Sequence, residues 1–122
     1  MISLLESFLQ VSLLYDFYGA LLTERQQKCI EMHFLNDFSL SEIADEFDVS
    51  RQAIYDIINR TRQMLIDYEE KLGLVRRYQE ERECIQDVFE IINNLPNDIK
   101  KTYQLEIVID KLSNLISDDK EE

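Results

Sequence analysis

The chain has 122 residues and is strongly acidic, since 25 Asp and Glu residues against 13 Lys and Arg residues give a formal net charge of −12. Its hydrophobic content of 45% is enough for a packed core and excludes a wholly disordered chain. Two glycines and one proline leave little material for hairpin turns, so the composition argues against a sheet protein and predicts an all-α fold.

The first 22 residues are apolar but predict an amphipathic helix that packs on the rest of the domain. No apolar run approaches the roughly 20 residues that a membrane span needs. The stretch also lacks the basic segment that opens a secretion signal, and Glu6 and Asp16 interrupt it. Its apolar residues recur mostly at steps of three and four, which is helical spacing. Gly19 is where this helix bends or ends.

Local capping signals predict the next three helices. Thr23 with Gln26 forms a capping box in front of "ERQQKCIEMHFL", and Ser39 with Glu42 forms a second one in front of "LSEIADEF". Asp48 follows at a turn position that often requires a left-handed residue, a conformation that Asp tolerates better than most residues. Ser50 is then expected to cap a helix that begins at Arg51.

The segment from 51 to 94 is either one long helix or two helices with a joint near Gly73. Leu65, Tyr68, Leu72 and Val75 follow the 3-4-3 spacing of a coiled-coil seam, and an apolar stripe resumes at Ile85. We expect this surface to form a homodimer through five residues: Leu72, Val75, Ile85, Phe89 and Ile92. A last helix is predicted over 97–116, and residues 117–122 form a charged, frayed tail.

Residues 39–65 fit the helix-turn-helix pattern, in which two short helices cross closely. The interior positions of that pattern need apolar or small residues, and here they are Ile43, Ala44, Phe47, Val49, Ile54 and Ile57. Ala44 matters most, because a large side chain there would push the helices apart. The sequence therefore predicts a helix-turn-helix domain over 1–72 with its motif at 39–65, followed by a helical, dimerising extension over 73–116.

The predicted second helix of the motif has a polar side opposite its apolar side. At about 100° per residue, this polar face and its N-terminal cap hold seven candidate nucleic-acid-binding residues: Ser50, Arg51, Gln52, Tyr55, Asp56, Asn59 and Arg62. Arg suits guanine, Gln and Asn suit adenine, and a tyrosine reaches a thymine methyl or a phosphate. Asp56 does not fit this set, because a carboxylate near phosphates usually weakens binding through charge repulsion. The alternative is that this face is simply solvated or docks a protein.

The charge pattern limits how a nucleic acid would be held. Segments 1–38, 39–65, 66–84 and 85–122 carry net charges of −3, −2, −2 and −5, so none of them is basic. A single copy is therefore expected to bind weakly and with strong salt dependence. The shortage of positive charge favours binding by a dimer, which presents two copies of the motif, or a partner other than naked DNA.

The sequence offers no chemistry typical of an enzyme. His33 is the only histidine and has no triad or metal partner in view, so a structural role is expected. Glycine-rich phosphate loops and calcium loops are missing from the sequence. Cys29 and Cys84 are far apart and are expected to be buried, reduced thiols. We predict a non-enzymatic protein without a cofactor or a metal site.

The runs "DFYGALLT" and "VSRQAIYD" resemble the YlxM family of small bacterial helix-turn-helix proteins, and the likeness extends over roughly residues 13 to 72. Residues 23 to 65 are similar, more broadly, to region 4 of bacterial sigma factors, a module that reads promoter DNA. By that similarity, the base-facing residues would be Arg51, Gln52, Tyr55 and Asp56.

The YlxM resemblance implies a cytoplasmic accessory or regulatory protein of the signal recognition particle pathway. In the family this association rests largely on gene neighbourhood with the particle's GTPase. The implied partners are protein or RNA components of the particle, or DNA, with no membrane insertion. Two alternatives stay open: a sequence-specific DNA-binding transcription regulator, and a purely structural interaction module.

Overall fold

The computed structural model describes residues 4–120, with the side chains of 7–117. Its α-helices are α1 (Leu4–Tyr18), α2 (Glu24–Ile30), α3 (Leu40–Phe47), α4 (Arg51–Leu72), α5 (Leu74–Asn93), α6 (Asn97–Lys100) and α7 (Tyr103–Lys120). A 3₁₀ turn follows α1, and a π-helical turn, Glu31–Leu35, follows α2. The described residues contain no strand, which confirms the all-α prediction. None of their helices has the length and apolar character needed to cross a membrane.

The first helix ends where the sequence predicted a bend. A 3₁₀ turn, Gly19–Leu21, replaces the α-helix after Tyr18. A Cβ atom on the buried Gly19 would lie 2.9 Å from the ring of Tyr15, so a larger residue here would have to displace that ring. The charged side chain Glu6, like Leu4 and Leu5 on the predicted apolar face, lies outside the described side chains.

The predicted caps are confirmed. The Gln26 amide N–H donates to Thr23 Oγ1 at 3.2 Å, and the Thr23 N–H donates to Gln26 Oε1 at 2.9 Å. Ser39 and Glu42 make the same reciprocal pair at 3.1 and 3.2 Å. The Ala53 N–H donates to Ser50 Oγ at 3.0 Å, and α4 begins at the next residue after that cap. Each cap satisfies amide groups that the first turn of a helix leaves without a partner.

Two predicted helices are interrupted. The α-helical part of "ERQQKCIEMHFL" stops at Ile30 and continues as the π-helical turn. The single helix predicted over 97–116 is wrong: α6 ends at Lys100, where the Thr102 hydroxyl donates to the Ile99 carbonyl at 2.8 Å. A threonine hydroxyl competes in this way with the backbone bonds of a helix. Helix α7 then extends to Lys120, so part of the predicted tail is helical, and residues 121–122 lie outside the described residues.

The joint near Gly73 is a complete helix end. Gly73 has φ = 63°, a left-handed conformation that glycine adopts at little cost, and its N–H donates to the Glu69 carbonyl at 2.8 Å. Helix α5 begins at the next residue. The long segment is therefore two helices, and the alternative of one continuous helix is excluded.

A buried tyrosine and a carboxylate cap the start of α5. The Leu74 N–H donates to Tyr18 Oη at 3.1 Å, and the Val75 N–H donates to Glu69 Oε1 at 3.0 Å. The Tyr18 hydroxyl in turn donates to Glu69 Oε1 at 2.6 Å. Burial, reinforced by this hydrogen bond, raises the pKa of Tyr18 and keeps the hydroxyl protonated. These bonds satisfy the first two amide groups of α5 and give this helix a defined start.

The chain divides into two compact units, Met1–Val75 and Arg76–Glu122. The first unit holds two clusters of buried side chains. One joins α1 to the C-terminal half of α4 and consists of Val11, Leu14, Tyr18, Leu22, Ile30, Leu65 and Val75. The other joins α2, α3 and the N-terminal half of α4 and consists of Cys29, Ile43, Ala44, Ile54 and Ile58. Helix α4 thus contributes to both clusters.

The prediction of two buried thiols is correct for Cys29 and wrong for Cys84. Cys29 is fully buried, and this burial raises the pKa of its thiol. Cys84 is exposed because it lies on a side of α5 that the described residues of the second unit leave uncovered. Periodicity alone did not distinguish the two environments.

Thr61 is the buried polar residue whose replacement tests the packing of α4. It is fully buried, and its Oγ1 atom has no hydrogen-bond partner among the residues that the structure describes. An unsatisfied buried hydroxyl costs about 1–3 kcal/mol. We therefore expect Thr61→Val to raise the free energy of unfolding by about 1 kcal/mol, measured by urea denaturation. Thr61→Ser, which keeps the hydroxyl and removes the methyl group, should lower it. Equal or lower stability of the valine variant would contradict this account.

Candidate nucleic-acid interface

The interface is built on the close crossing of α3 and α4. Ile43 and Ala44 on α3 pack against Ile54 and Ile58 on α4, and Cys29 of α2 closes the cluster. Ala44 is 4% exposed, as expected for a small residue at a crossing point. Phe47, Val49 and Ile57 are partly buried against the same cluster, so every interior position predicted for the motif contributes to it.

The turn between the two helices has the predicted left-handed residue. Asp48 has φ = 55°, and its N–H donates to the Ala44 and Asp45 carbonyls at the end of α3. The Val49 N–H donates to the Ala44 carbonyl at 3.1 Å. This is a left-handed helix end, and it brings Ser50 into position to cap α4 after a turn of only three residues. The short turn orients the first two turns of α4.

Five of the seven predicted contact residues are exposed together on one side of α4: Arg51, Gln52, Tyr55, Asp56 and Asn59. The side chain of Tyr55 is 49% exposed although it is large and aromatic. The opposite side of the same helical turns is buried, since Ile54 and Ile58 lie in the core. The face therefore offers a guanidinium, two amides and a phenol to a ligand.

Gln52 and Asp56 are bonded to each other in the free protein. The Gln52 Nε2 atom donates to Asp56 Oδ1 at 3.1 Å, one helical turn further on. A glutamine that reads adenine needs both its amide N–H and its carbonyl oxygen. The Gln52 amide group has two N–H donors, so one of them and the carbonyl oxygen can contact adenine while the other N–H stays bonded to Asp56. Asp56 therefore orients the Gln52 side chain, and it also adds a negative charge to the face.

The other two predicted residues have structural contacts. The Ser50 hydroxyl accepts from the Ala53 N–H and caps α4. Arg62 is half-buried, and its Nη2 atom donates to Ser7 Oγ at 2.8 Å, which ties the middle of α4 to α1. The guanidinium of Arg62 thus lies at the margin of the exposed face, held by the first helix.

Leu40 also belongs to this site, although the sequence analysis did not select it. An open depression of about 360 Å³ is lined by Leu40, Arg51, Gln52 and Tyr55. Leu40 is the first residue of α3, directly after the Ser39 cap, and it is half-buried. The sequence feature that could have predicted its role is an apolar residue at the first position of the first motif helix. The depression gives the polar face an apolar floor suited to a base or a thymine methyl group.

The electrostatics around the face are mixed. Arg51 and Arg60 are the exposed cations of the motif, and only Arg51 lies on the face, whereas the exposed acids of the motif are Glu42, Asp45, Glu46, Asp48 and Asp56. These acids lie mostly along α3 and the turn, so the motif carries more exposed negative than positive charge. One copy of the motif therefore lacks the surplus of positive charge that holds phosphates.

The family comparison agrees with this geometry. Residues 5–114 match the model of the family UPF0122, described as "Putative helix-turn-helix protein, YlxM / p13 like". The chain belongs to this family.

Relatives in the UPF0122 family resemble the chain over most of their length. The UPF0122 protein of Halalkalibacterium halodurans is 49% identical over 90 residues, which cover 74% of this chain and 83% of the relative. The one from Caldanaerobacter subterraneus is 51% identical over 87 residues, covering 71% and 74%. The one from Bacillus pumilus is 42% identical over 111 residues, covering 91% and 97%. The likeness therefore includes the helices that follow the motif.

The family description names a helix-turn-helix protein and no enzymatic activity. His33 has the structural environment that was expected: its Nδ1 atom lies 2.9 Å from the Phe38 carbonyl oxygen, and its ring packs against Phe8 and Phe34. Among the residues that the structure describes, no group of three or more His, Cys, Asp and Glu side chains is arranged to hold a metal ion.

The five residues predicted to form a dimer occupy different environments. Leu72 is 56% exposed at the end of α4, whereas Val75 is buried in the core of the first unit and offers no surface to a second chain. Ile85, Phe89 and Ile92 are half-buried along α5. They share one side of that helix with Arg82, which donates to carbonyl groups of α7. The predicted stripe therefore faces the inside of the second unit.

Proposed function

We propose that this UPF0122 protein is a non-enzymatic accessory or regulatory factor that binds nucleic acid through the exposed face of α4. The observation that carries the proposal is the cluster of Arg51, Gln52, Tyr55 and Asn59 on one exposed side of a helix whose other side is buried. These side chains supply the donors, acceptors and aromatic surface that read bases and bind phosphates.

The shape of the motif favours a wide groove. The major groove of B-DNA admits an α-helix, whereas the major groove of an RNA duplex is too deep and narrow for one. In RNA, the same face would suit unpaired bases in loops or bulges, which stack on aromatic side chains such as Tyr55. Duplex DNA and structured, loop-containing RNA are therefore the two ligands to test.

The low positive charge of the motif supports binding as a homodimer. Neutralisation of phosphate charge depends on Lys or Arg, and Arg51 and Arg60 are the exposed cations of the motif. Two linked copies raise the overall affinity without new contacts within either copy, because the second binding step becomes intramolecular. A two-fold dimer also matches the two half-sites that helix-turn-helix dimers recognise.

The cellular setting that we propose is the signal recognition particle pathway, in the cytoplasm. Its support is the YlxM resemblance, in which the link to the particle comes from gene neighbourhood. The partners would be the particle's RNA, its GTPase or the receptor. A second candidate function, a sequence-specific transcription regulator, is favoured by the two amide side chains of the face, Gln52 and Asn59, since amides pair with adenine.

Arg51→Ala is expected to weaken binding to the preferred nucleic acid by roughly 10- to 100-fold, the loss of one charged bidentate contact worth about 1–3 kcal/mol. Fluorescence anisotropy at two salt concentrations measures it. Arg60→Ala is the matched control, because Arg60 is an exposed arginine of the same helix that lies off the face. Its effect should be small and independent of nucleic-acid sequence. Equal losses of affinity in both variants would contradict a specific contact by Arg51 and would indicate only nonspecific charge attraction.

Asp56→Asn is expected to tighten binding. The substitution removes a negative charge beside the phosphates and weakens the bond that holds Gln52 in the free protein. We expect several-fold higher affinity, on the order of 1 kcal/mol, and a change in base preference at the position read by Gln52. Selection from a random DNA pool measures both effects. Unchanged affinity with an unchanged selected sequence would remove Asp56 and Gln52 from the interface.

The pathway proposal predicts direct contact with the particle. Mobility shifts with the particle's RNA, and pull-downs with its GTPase and with its receptor, should show at least one interaction at low salt that Arg51→Ala weakens. No interaction with any of the three would refute the pathway. A single enriched DNA site in the selection experiment, together with that negative result, would support the transcription regulator instead.

A further inference from the structure

The second unit is a helical hairpin whose two long helices run antiparallel. Near the turn, Lys100 Nζ donates to the Asn93 carbonyl at 2.9 Å. Further from the turn, Arg82 donates to the carbonyl of Leu115 at 2.9 Å and to that of Ile116 at 3.4 Å. The middle of α5 therefore lies beside the last turns of α7, and the end of α5 lies beside α6.

This hairpin does not close a core of its own. From Arg76 to Ser117, no described side chain is buried. The apolar residues that α5 and α7 turn toward each other are only half-buried: Ile85, Phe89, Ile92, Leu105, Ile109, Leu112 and Ile116. Helices in water owe most of their stability to the packing of such a face, and two helices alone leave it partly open to solvent.

A second set of apolar residues lies on one open side of the hairpin. Cys84, Val88 and Ile91 follow steps of four and three along α5, and Val108 and Leu115 lie two turns apart on α7. Val88, Ile91, Val108 and Leu115 are 40%, 67%, 37% and 48% exposed. On each helix, this row lies roughly a quarter turn around the helix axis from the side that faces the other helix. Because both helices are right-handed and run antiparallel, the two rows lie on the same side of the hairpin. We call these five residues the open face.

The edges of the open face carry opposite charges at the same height. The register that places Arg82 beside Leu115 and Ile116 places Asp87 level with Lys111. Both side chains are exposed, and they lie at the two outer edges of the hairpin, on α5 and α7 respectively. Within one chain they are separated by the width of the hairpin.

We propose that the open face is covered by the open face of a second copy of this chain, which completes a four-helix bundle. In this arrangement α5 of each copy packs against α7 of the other, around a two-fold axis along the hairpin. Val88 and Ile91 then meet Val108 and Leu115 of the second copy. Asp87 of each copy lies opposite Lys111 of the other, so the bundle has two such ion pairs.

Self-complementarity identifies the second copy as the occupant. An interface around a two-fold axis uses the same patch twice, so each residue needs its complement within that patch. The open face meets this condition, since an acidic edge on α5 accompanies a basic edge on α7 and an apolar row lies on each helix. The arrangement rests on the proposed function in one respect, because it supplies the second recognition helix that the charge deficit calls for.

Size-exclusion chromatography with light scattering of the full chain, without nucleic acid, tests this interface. At micromolar concentration the wild type is expected to have twice the chain mass of 14.6 kDa. Val108→Asp should give the monomer mass. Ile107→Asp is the matched control, because Ile107 is equally exposed at 37% but lies about 100° around α7 from Val108, on the side that faces away from α5, and it should remain dimeric. A monomeric wild type, or equal disruption by both substitutions, would overturn the proposal.

A charge exchange separates loss of the interface from loss of folding. Asp87→Lys or Lys111→Glu alone should raise the dimer dissociation constant at least roughly tenfold, since each dimer holds two pairs. The double variant Asp87→Lys/Lys111→Glu should restore the wild-type value, with unchanged circular dichroism throughout. Additive losses in the double variant would refute the pairing of α5 with α7 of the other copy. Because no nucleic acid is present, a failure here is distinct from a failure of the Arg51→Ala prediction.

Discussion

The close contact of α3 with α4 at Ala44 is the constraint on which the architecture of the first unit depends. A side chain with a single methyl group lets Ile43, Ile54 and Ile58 meet around the fully buried Cys29. That packing fixes the rotation of α4 about its own axis, because the buried isoleucines permit only one orientation. The rotation in turn decides which residues face outward, and these are Arg51, Tyr55 and their neighbours. A core requirement thus determines the chemistry of the surface.

The exposed face of α4 is only partly available in the free protein. The Ser50 hydroxyl is used to cap the helix, Arg62 is tied to Ser7 of α1, and Gln52 is bonded to Asp56. Such contacts hold side chains in defined positions, which lowers the entropy cost of binding, but each polar group that must exchange partners costs part of the gain. This balance, together with the acidic surroundings, is consistent with a ligand that is bound by more than one copy and at modest affinity per copy.

Helix α4 ends at a joint that specific backbone and side-chain hydrogen bonds stabilise. Gly73 lets the chain turn with a positive φ, and Tyr18 with Glu69 satisfies the first amides of α5. The first unit is therefore complete at Val75, which belongs to its core. The second unit, in contrast, does not form a complete core, since it has more apolar side chains than two helices can bury. A chain with a net charge of −12 is well protected against nonspecific aggregation, and a specific pairing of open faces remains compatible with that protection.

Local sequence accounts for the features that depend on interactions within about four residues along the chain. The capping boxes at Thr23 and Ser39, the left-handed Asp48, the Ser50 cap and the end of α1 at Gly19 follow from local hydrogen bonding and backbone preference. The helix-turn-helix and its inward-facing residues also follow, because helical periodicity fixes which side chains share a side. The spacing of apolar residues along the segment from 51 to 94 predicted an apolar stripe, but it did not show which part of the protein covers that stripe.

Tertiary packing set how the predicted faces are used. It placed Val75 in a core, exposed Cys84, turned Ile85, Phe89 and Ile92 toward α7, and added Leu40 to the polar face. It also interrupted the last helix at Thr102 and ended α4 at Gly73, where local sequence had left the choice open or favoured continuation. The reason is that burial depends on which elements approach each other across the fold. Residues far apart in the chain set that approach, and no local pattern carries the information.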